Sequence, residues 1–104
     1  MKQTTQLLLS FFLIFQLTNA QHSFTGVIAD KEKTPLIGVQ VILSANDSLF
    51  AAGLTNAKGR FVIENIPQGE YLLQILYPGF TPIEEKRDIH RNINAELFWL
   101  KRWM

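Results

Sequence analysis

The sequence predicts an all-β sandwich of about seven short antiparallel strands, and three observations carry that prediction. Apolar residues recur at every second position in short blocks rich in β-branched and aromatic side chains, which is the period of a half-buried strand. Gly, Pro, Asn and Asp punctuate the blocks about every 8–12 residues, the turn spacing of a two-sheet sandwich. No helical period appears after the first twenty residues.

Those twenty read as something other than the domain. They open with a positive charge at Lys2, continue through the apolar run Leu7 to Leu17, and end in Thr18-Asn19-Ala20. This is the order of a secretory signal peptide cleaved after Ala20. The apolar run is about half the ~20 residues a membrane-spanning helix needs, which argues against a permanent anchor. Cleavage leaves 84 residues beginning at Gln21, and with Lys2 gone nine basic residues face nine acidic ones. A net charge near zero offers no electrostatic case for nucleic acid or an anionic membrane surface. The chain has no Cys. Neither a disulfide nor a thioether-linked lipid can form, so a chain this short must rest on a well-filled apolar core.

Phe24 to Ala29 is expected as the first strand, followed by the charged turn Asp30 to Pro35. In Gly38 to Ser44, Val39, Val41 and Leu43 share one face, with Gln40 and Ser44 on the other. Ala45 to Ser48 is a turn cluster. Leu49 to Thr55 and Arg60 to Glu64 flank Asn56-Ala57-Lys58-Gly59, where Asn can bond its own backbone and Gly tolerates positive φ. The expectation is a hairpin, with Phe61 and Ile63 pointing one way and Arg60, Val62 and Glu64 the other. Asn65 to Gly69 is a second turn. Tyr71, Leu73, Ile75 and Tyr77 then alternate up to Pro78-Gly79, in the strand that looks most buried. Glu84 to His90 is expected to be a charged, solvated stretch. Ile93, Ala95 and Leu97 indicate a last strand with Asn92, Asn94 and Glu96 facing water. The sandwich is therefore expected over residues 21–97, with an aromatic tail over 98–104.

The turn and core positions form a recognisable series. Gly26 to Asp30, Pro35 to Val41, Thr55 to Phe61 and Asn65 to Tyr71 follow one another at fixed spacing, ending near Tyr77-Pro78-Gly79-Phe80. In order and spacing the series resembles carboxypeptidase regulatory-like domains, in the version at the N-terminus of Bacteroidetes TonB-dependent outer-membrane receptors. The resemblance covers roughly Phe24 to Leu97. It implies a transthyretin-like, Greek-key sandwich and an envelope location, periplasmic, outer-membrane-associated or extracellular. The shared positions are turn glycines, turn prolines and inward aromatics, which specify fold more than function. A plug and a membrane barrel follow the domain in such receptors. A barrel needs at least about eight strands of about ten residues, more than this sequence holds, so transport does not carry over.

The residues of catalysis are missing from the pattern, and neither a catalytic nor a cofactor site is expected. His22 and His90 have no Cys, His or Asp at zinc-ligand spacing. Glu84 and Glu85 are adjacent, and adjacent residues of an extended segment point apart. Ser23, Ser44 and Ser48 lack a nucleophile-elbow context. Asp30, Asn46, Asp47 and Asn56 lie in loops without the spacing of a calcium site, and no metal site is expected. Aromatic residues remain as candidates for a binding surface. Tyr77 and Phe80 flank the Pro78-Gly79 bend, and Phe98, Trp99 and Trp103 crowd the tail. Trp99 and Trp103 would share a strand face with Leu97, while Phe98 and Leu100 load the other. Large exposed apolar surface with Trp and Arg marks interface anchors. The leading expectation is an exported, non-catalytic module that binds a protein partner or self-associates at the envelope. A carbohydrate-binding module is the alternative and needs exposed coplanar aromatics. A transthyretin-related hydrolase would need several clustered histidines.

Overall fold

The computed structural model describes residues 21–103; the expected signal peptide over residues 1–20 lies outside the described residues. Seven strands follow in order: β1 (Gln21–Asp30), β2 (Gln40–Ala45), β3 (Ser48–Leu54), β4 (Arg60–Pro67), β5 (Gly69–Leu76), β6 (Ile83–Ile89) and β7 (Ile93–Leu100). They form a three-stranded sheet, β4-β1-β7, packed on a four-stranded sheet, β3-β2-β5-β6. Among the described residues no helix is long and apolar enough to cross a membrane.

One expectation of topology is corrected. All pairs are antiparallel except β1 with β7, which run parallel. Each connection reverses the chain, so odd-numbered strands run one way and even-numbered strands the other. Two odd strands that become neighbours must pair parallel.

Alternation builds the core from both sheets. The three-stranded sheet contributes aromatic mass: the rings of Phe24, Phe61 and Phe98 lie 5.2–6.3 Å apart, Phe24 meeting Phe61 edge to face. Gly26, opposite Phe61, makes room for this cluster. A β-carbon there would stand 2.6 Å from the Phe61 ring and 2.8 Å from the Glu96 carbonyl oxygen. The four-stranded sheet answers with the fully buried Val41, Leu43, Leu73 and Ile75. As expected, Phe61 and Ile63 face inward while Arg60, Val62 and Glu64 face water.

Two expected turns exist but join different partners. The Asn56–Gly59 turn forms as anticipated: Gly59 N donates to the Asn56 carbonyl, and the Asn56 side chain accepts from Lys58 N and Arg60 N. Gly59 has φ 74°. The flanking strands, however, belong to opposite sheets, so the turn is a crossover and not a hairpin. The tight hairpin is instead at Asn46-Asp47, both at positive φ, the geometry of a two-residue primed turn. Likewise the Asn65–Gly69 segment stays in β4 to Pro67, with Asn65 at φ 59° where the pairing with β1 shifts register, then crosses between sheets, and Tyr71 Oη pins the corner by donating to the Pro67 carbonyl at 2.6 Å.

Two further expectations are revised near the end of the chain. Glu84–His90, read as solvated, falls in the edge strand β6 as far as Ile89; its Glu84, Glu85, Lys86 and Asp88 are exposed, but Arg87 is half-buried and Ile89 fully buried. In β7 the phase flips. Phe24 pairs with Ile93 but Gly26 with Glu96, so two residues of β7 fall where β1 has one, and Ala95 takes φ 54°. Thr25 Oγ1 satisfies the displaced Ala95 N–H at 2.9 Å. Beyond this bulge Leu97 points out, while Phe98 and Leu100 enter the core. The strand runs to Leu100, past the expected limit of the sandwich at Leu97.

Candidate aromatic interface

The five aromatic residues singled out from the sequence go to three different places. Phe98 is in the core, 7% exposed, and supplies no surface. The β-bulge at Ala95, which turns it inward, is the reason. Trp99 lies on the outer face of the three-stranded sheet, in line with the exposed Leu97 and Val62. Tyr77, Phe80 and Trp103 come together at one end of the sandwich.

That end is built from a turn and a returning segment. Pro78 and Gly79 occupy the central positions of a turn closed by Phe80 N donating to the Tyr77 carbonyl, and Gly79 has φ 85°, as a type II turn requires. After β7 the chain crosses to this turn. Thr81 N donates to the Lys101 carbonyl and Trp103 N to the Gly79 carbonyl, at 2.8 and 3.0 Å. Between these bonds Phe80 and Arg102 form a β-bridge, and the Arg102 guanidinium lies 5.4 Å from the Phe80 ring centre. Phe80 is thereby almost covered, with its ring tilted against Tyr77 at 5.5 Å. Trp103 remains 76% exposed.

The result is a cleft lined by Leu54, Leu76, Tyr77, Pro82 and Trp103, with Gln40 as its main polar side chain and no charged group in its wall. Leu54, Leu76 and Pro82 were not legible as site residues. Each sits on an outward strand or loop position that reads locally as ordinary surface, and only the sheet order brings them together.

Titratable groups gather elsewhere. Arg87, on β6, reaches across the open side of the sandwich to Glu96 on β7, which it holds bidentately, and also binds Glu85. Its guanidinium lies 5.8 Å from the Phe24 ring centre and 5.7 Å from that of Phe98. Hydrogen bonding to Glu96 raises the Arg87 pKa above its ordinary value, against the opposing effect of burial. Burial raises the Tyr71 phenol. The Asp30 carboxylate is buried and accepts from Glu32 N and Thr34 N, so it serves its turn. His90 is exposed, with Asp88 at 3.8 Å. Among the described residues no three His, Asp or Glu groups gather as metal ligands would.

Comparison with known proteins gives the same architecture. The CarboxypepD_reg-like domain family matches residues 24–102. Colossin-A of Dictyostelium discoideum is 32% identical over 72 residues, which is 69% of this chain but 1% of Colossin-A, so the chain spans a very small part of that relative. Among solved structures, BcpA, the major pilin subunit of Bacillus cereus, superimposes with a TM-score of 0.62 at 14% identity, over 80% of this chain and 30% of BcpA. The 5-hydroxyisourate hydrolase of Klebsiella pneumoniae superimposes with a TM-score of 0.57 at 25% identity, over 82% of this chain and 93% of the hydrolase. A match that runs from the first core aromatic, Phe24, to the β-bridge residue Arg102 takes in every strand described above, and this chain belongs to the CarboxypepD_reg-like domain family.

Proposed function

We propose that this protein is an exported, non-catalytic module that docks a protein partner at the bacterial envelope, using the aromatic cleft at the Tyr77–Trp103 end. The observation that carries the reading is Trp103. A tryptophan so largely exposed, beside Leu54, Leu76 and Pro82 in a wall without charge, has the composition of an interface anchor and stands where a partner could desolvate it. Pilin subunits share the β-sandwich fold of this chain, which fits a structural module. The envelope location rests on the resemblance to the N-terminal extension of TonB-dependent receptors and on the signal-peptide pattern of residues 1–20.

The test is photo-crosslinking in the native host, with a crosslinking residue at position 103 and, as a control on the other sheet, at position 99. Protein adducts from 103 and none from 99 are expected, on a chain whose intact mass begins at Gln21. A retained leader sinks the export reading. An exported chain that yields no protein adduct from 103, or that binds a glycan through Tyr77 and Trp103, sinks the protein-docking one.

A further inference from the structure

The sandwich has four free strand edges, and three of them are guarded. β6 presents Glu84, Glu85, Lys86, Arg87 and Asp88; β4 carries Arg60 and Glu64; β7 carries Glu96 and is bulged at Ala95. Charge and bulges are how edges are kept from pairing with other chains. β3, Ser48–Leu54, has neither a charge nor a proline, and Leu49, Phe50 and Leu54 are 68%, 43% and 64% exposed along it. Its own bulge falls at Phe50, since Leu43 pairs with Ala51 and Ser44 with Leu49, and the Phe50 ring lies 5.5 Å from that of the buried Tyr71; Ala51 to Leu54 is the regular, uncharged part of the edge. β4 packs beneath β3 on its inner face, where a β-carbon on Gly53 would stand 3.3 Å from Ile63, and the two strands form no ladder.

We propose that β3 pairs antiparallel with β3 of a second copy of this chain, about a two-fold axis at Ala52, joining two four-stranded sheets into one of eight strands. Directly opposed residues of an antiparallel pair share a sheet face, so the dyad must pass through a residue and not between two. Ala52 is exposed on the outer face. Centring there puts two methyl groups at the closest approach and sets Ala51 against Gly53, with the exposed Leu54 of each copy next along the outer face. The ends complement one another too. Asp47 precedes the strand and Lys58 follows it, both exposed. Antiparallel pairing carries each Asp47 to the other copy's Asn56–Gly59 turn, where Lys58 stands, whereas parallel pairing would oppose Asp47 to Asp47. The edge meets the end cleft at Leu54, which lines both, but the pairing makes no use of Trp103.

An edge whose regular stretch runs only from Ala51 to Leu54 is a small interface, so the dimer should be weak, with a dissociation constant of roughly micromolar to hundreds of micromolar. Sedimentation equilibrium of the purified protein across that range tests it. A reversible dimer is expected. Ala52→Lys, at an exposed position, sets two ammonium groups against each other at the dyad and should weaken it at least tenfold with the melting temperature unchanged. Asp47→Lys alone should weaken it, and adding Lys58→Asp should restore it. A monomer at all concentrations overturns the proposal. So does a dimer that Ala52→Lys leaves intact and Trp103→Ser abolishes, or a monomer whose β3 edge takes up an unrelated extended peptide.

Discussion

The two long sides of the sandwich meet the same need, sealing the core where the sheets come together, by different means. On the β3–β4 side the backbone does it. The Asn56–Gly59 crossover is bonded within itself and to β1, Ile28 N donating to the Gly59 carbonyl at 2.8 Å. Thr55 adds a buried hydroxyl that accepts from Val39 N and donates to the Leu36 carbonyl. On the β6–β7 side backbone bonds join the sheets only at one end, where Thr81 N donates to the Lys101 carbonyl and Trp103 N to the Gly79 carbonyl. Arg87 closes it with its side chain, covering Phe24 and Phe98 while holding Glu96. The first seal is short-range and indifferent to salt. The second is electrostatic, half-buried, and dependent on one side chain.

Substitutions on the backbone-sealed side should cost most. Gly59→Val forces a branched side chain into φ 74° with its β-carbon 2.5 Å from the Ile28 carbonyl oxygen. A loss of about 3–5 kcal/mol in urea unfolding is expected. A loss no greater than that of Ala57→Val, in the same turn, would show that the crossover does not need its glycine. Thr55→Val leaves one buried backbone donor and one acceptor without the hydroxyl, and should cost about 2 kcal/mol by the same measurement.

The electrostatic side should yield less, and in a salt-dependent way. Arg87→Ala is expected to cost about 1–2 kcal/mol, because the pair is only partly buried. In a double-mutant cycle with Glu96→Gln the coupling energy should shrink between low and high ionic strength. A coupling that ignores salt would mean that Arg87 acts through its contact with the two phenylalanine rings alone. Lys58→Ala, exposed in the crossover, should stay within about 0.5 kcal/mol. A larger change would place a charge in the backbone seal where none is described.

The contrast between the sides also explains what could be read in advance. Asn56 and Gly59 are the residues a turn demands, so the turn was legible; a local turn does not say which sheet the next strand joins, so the crossover was not. Arg87 lies among five consecutive charged residues, which read as solvated because an edge strand wets one face and spares the other. The bulge at Ala95 has no residue signature, alanine being rare at positive φ. One extra residue there inverted the inside and outside of the rest of β7, which is why Phe98 looked like surface. Tyr77 and Trp103 were legible as candidates because neither depends on that phase. The all-β sandwich itself survived these errors, since it rests on period and turn spacing and not on any one register.

The parallel pairing of β1 with β7 has a mechanical consequence. Because the first and last strands run side by side in one direction, the chain enters the domain at one end and leaves it at the other. Tension applied through those two points would slide β1 along β7 in shear, so that the hydrogen bonds from Phe24 to Asp30 share the load together and do not break singly in succession.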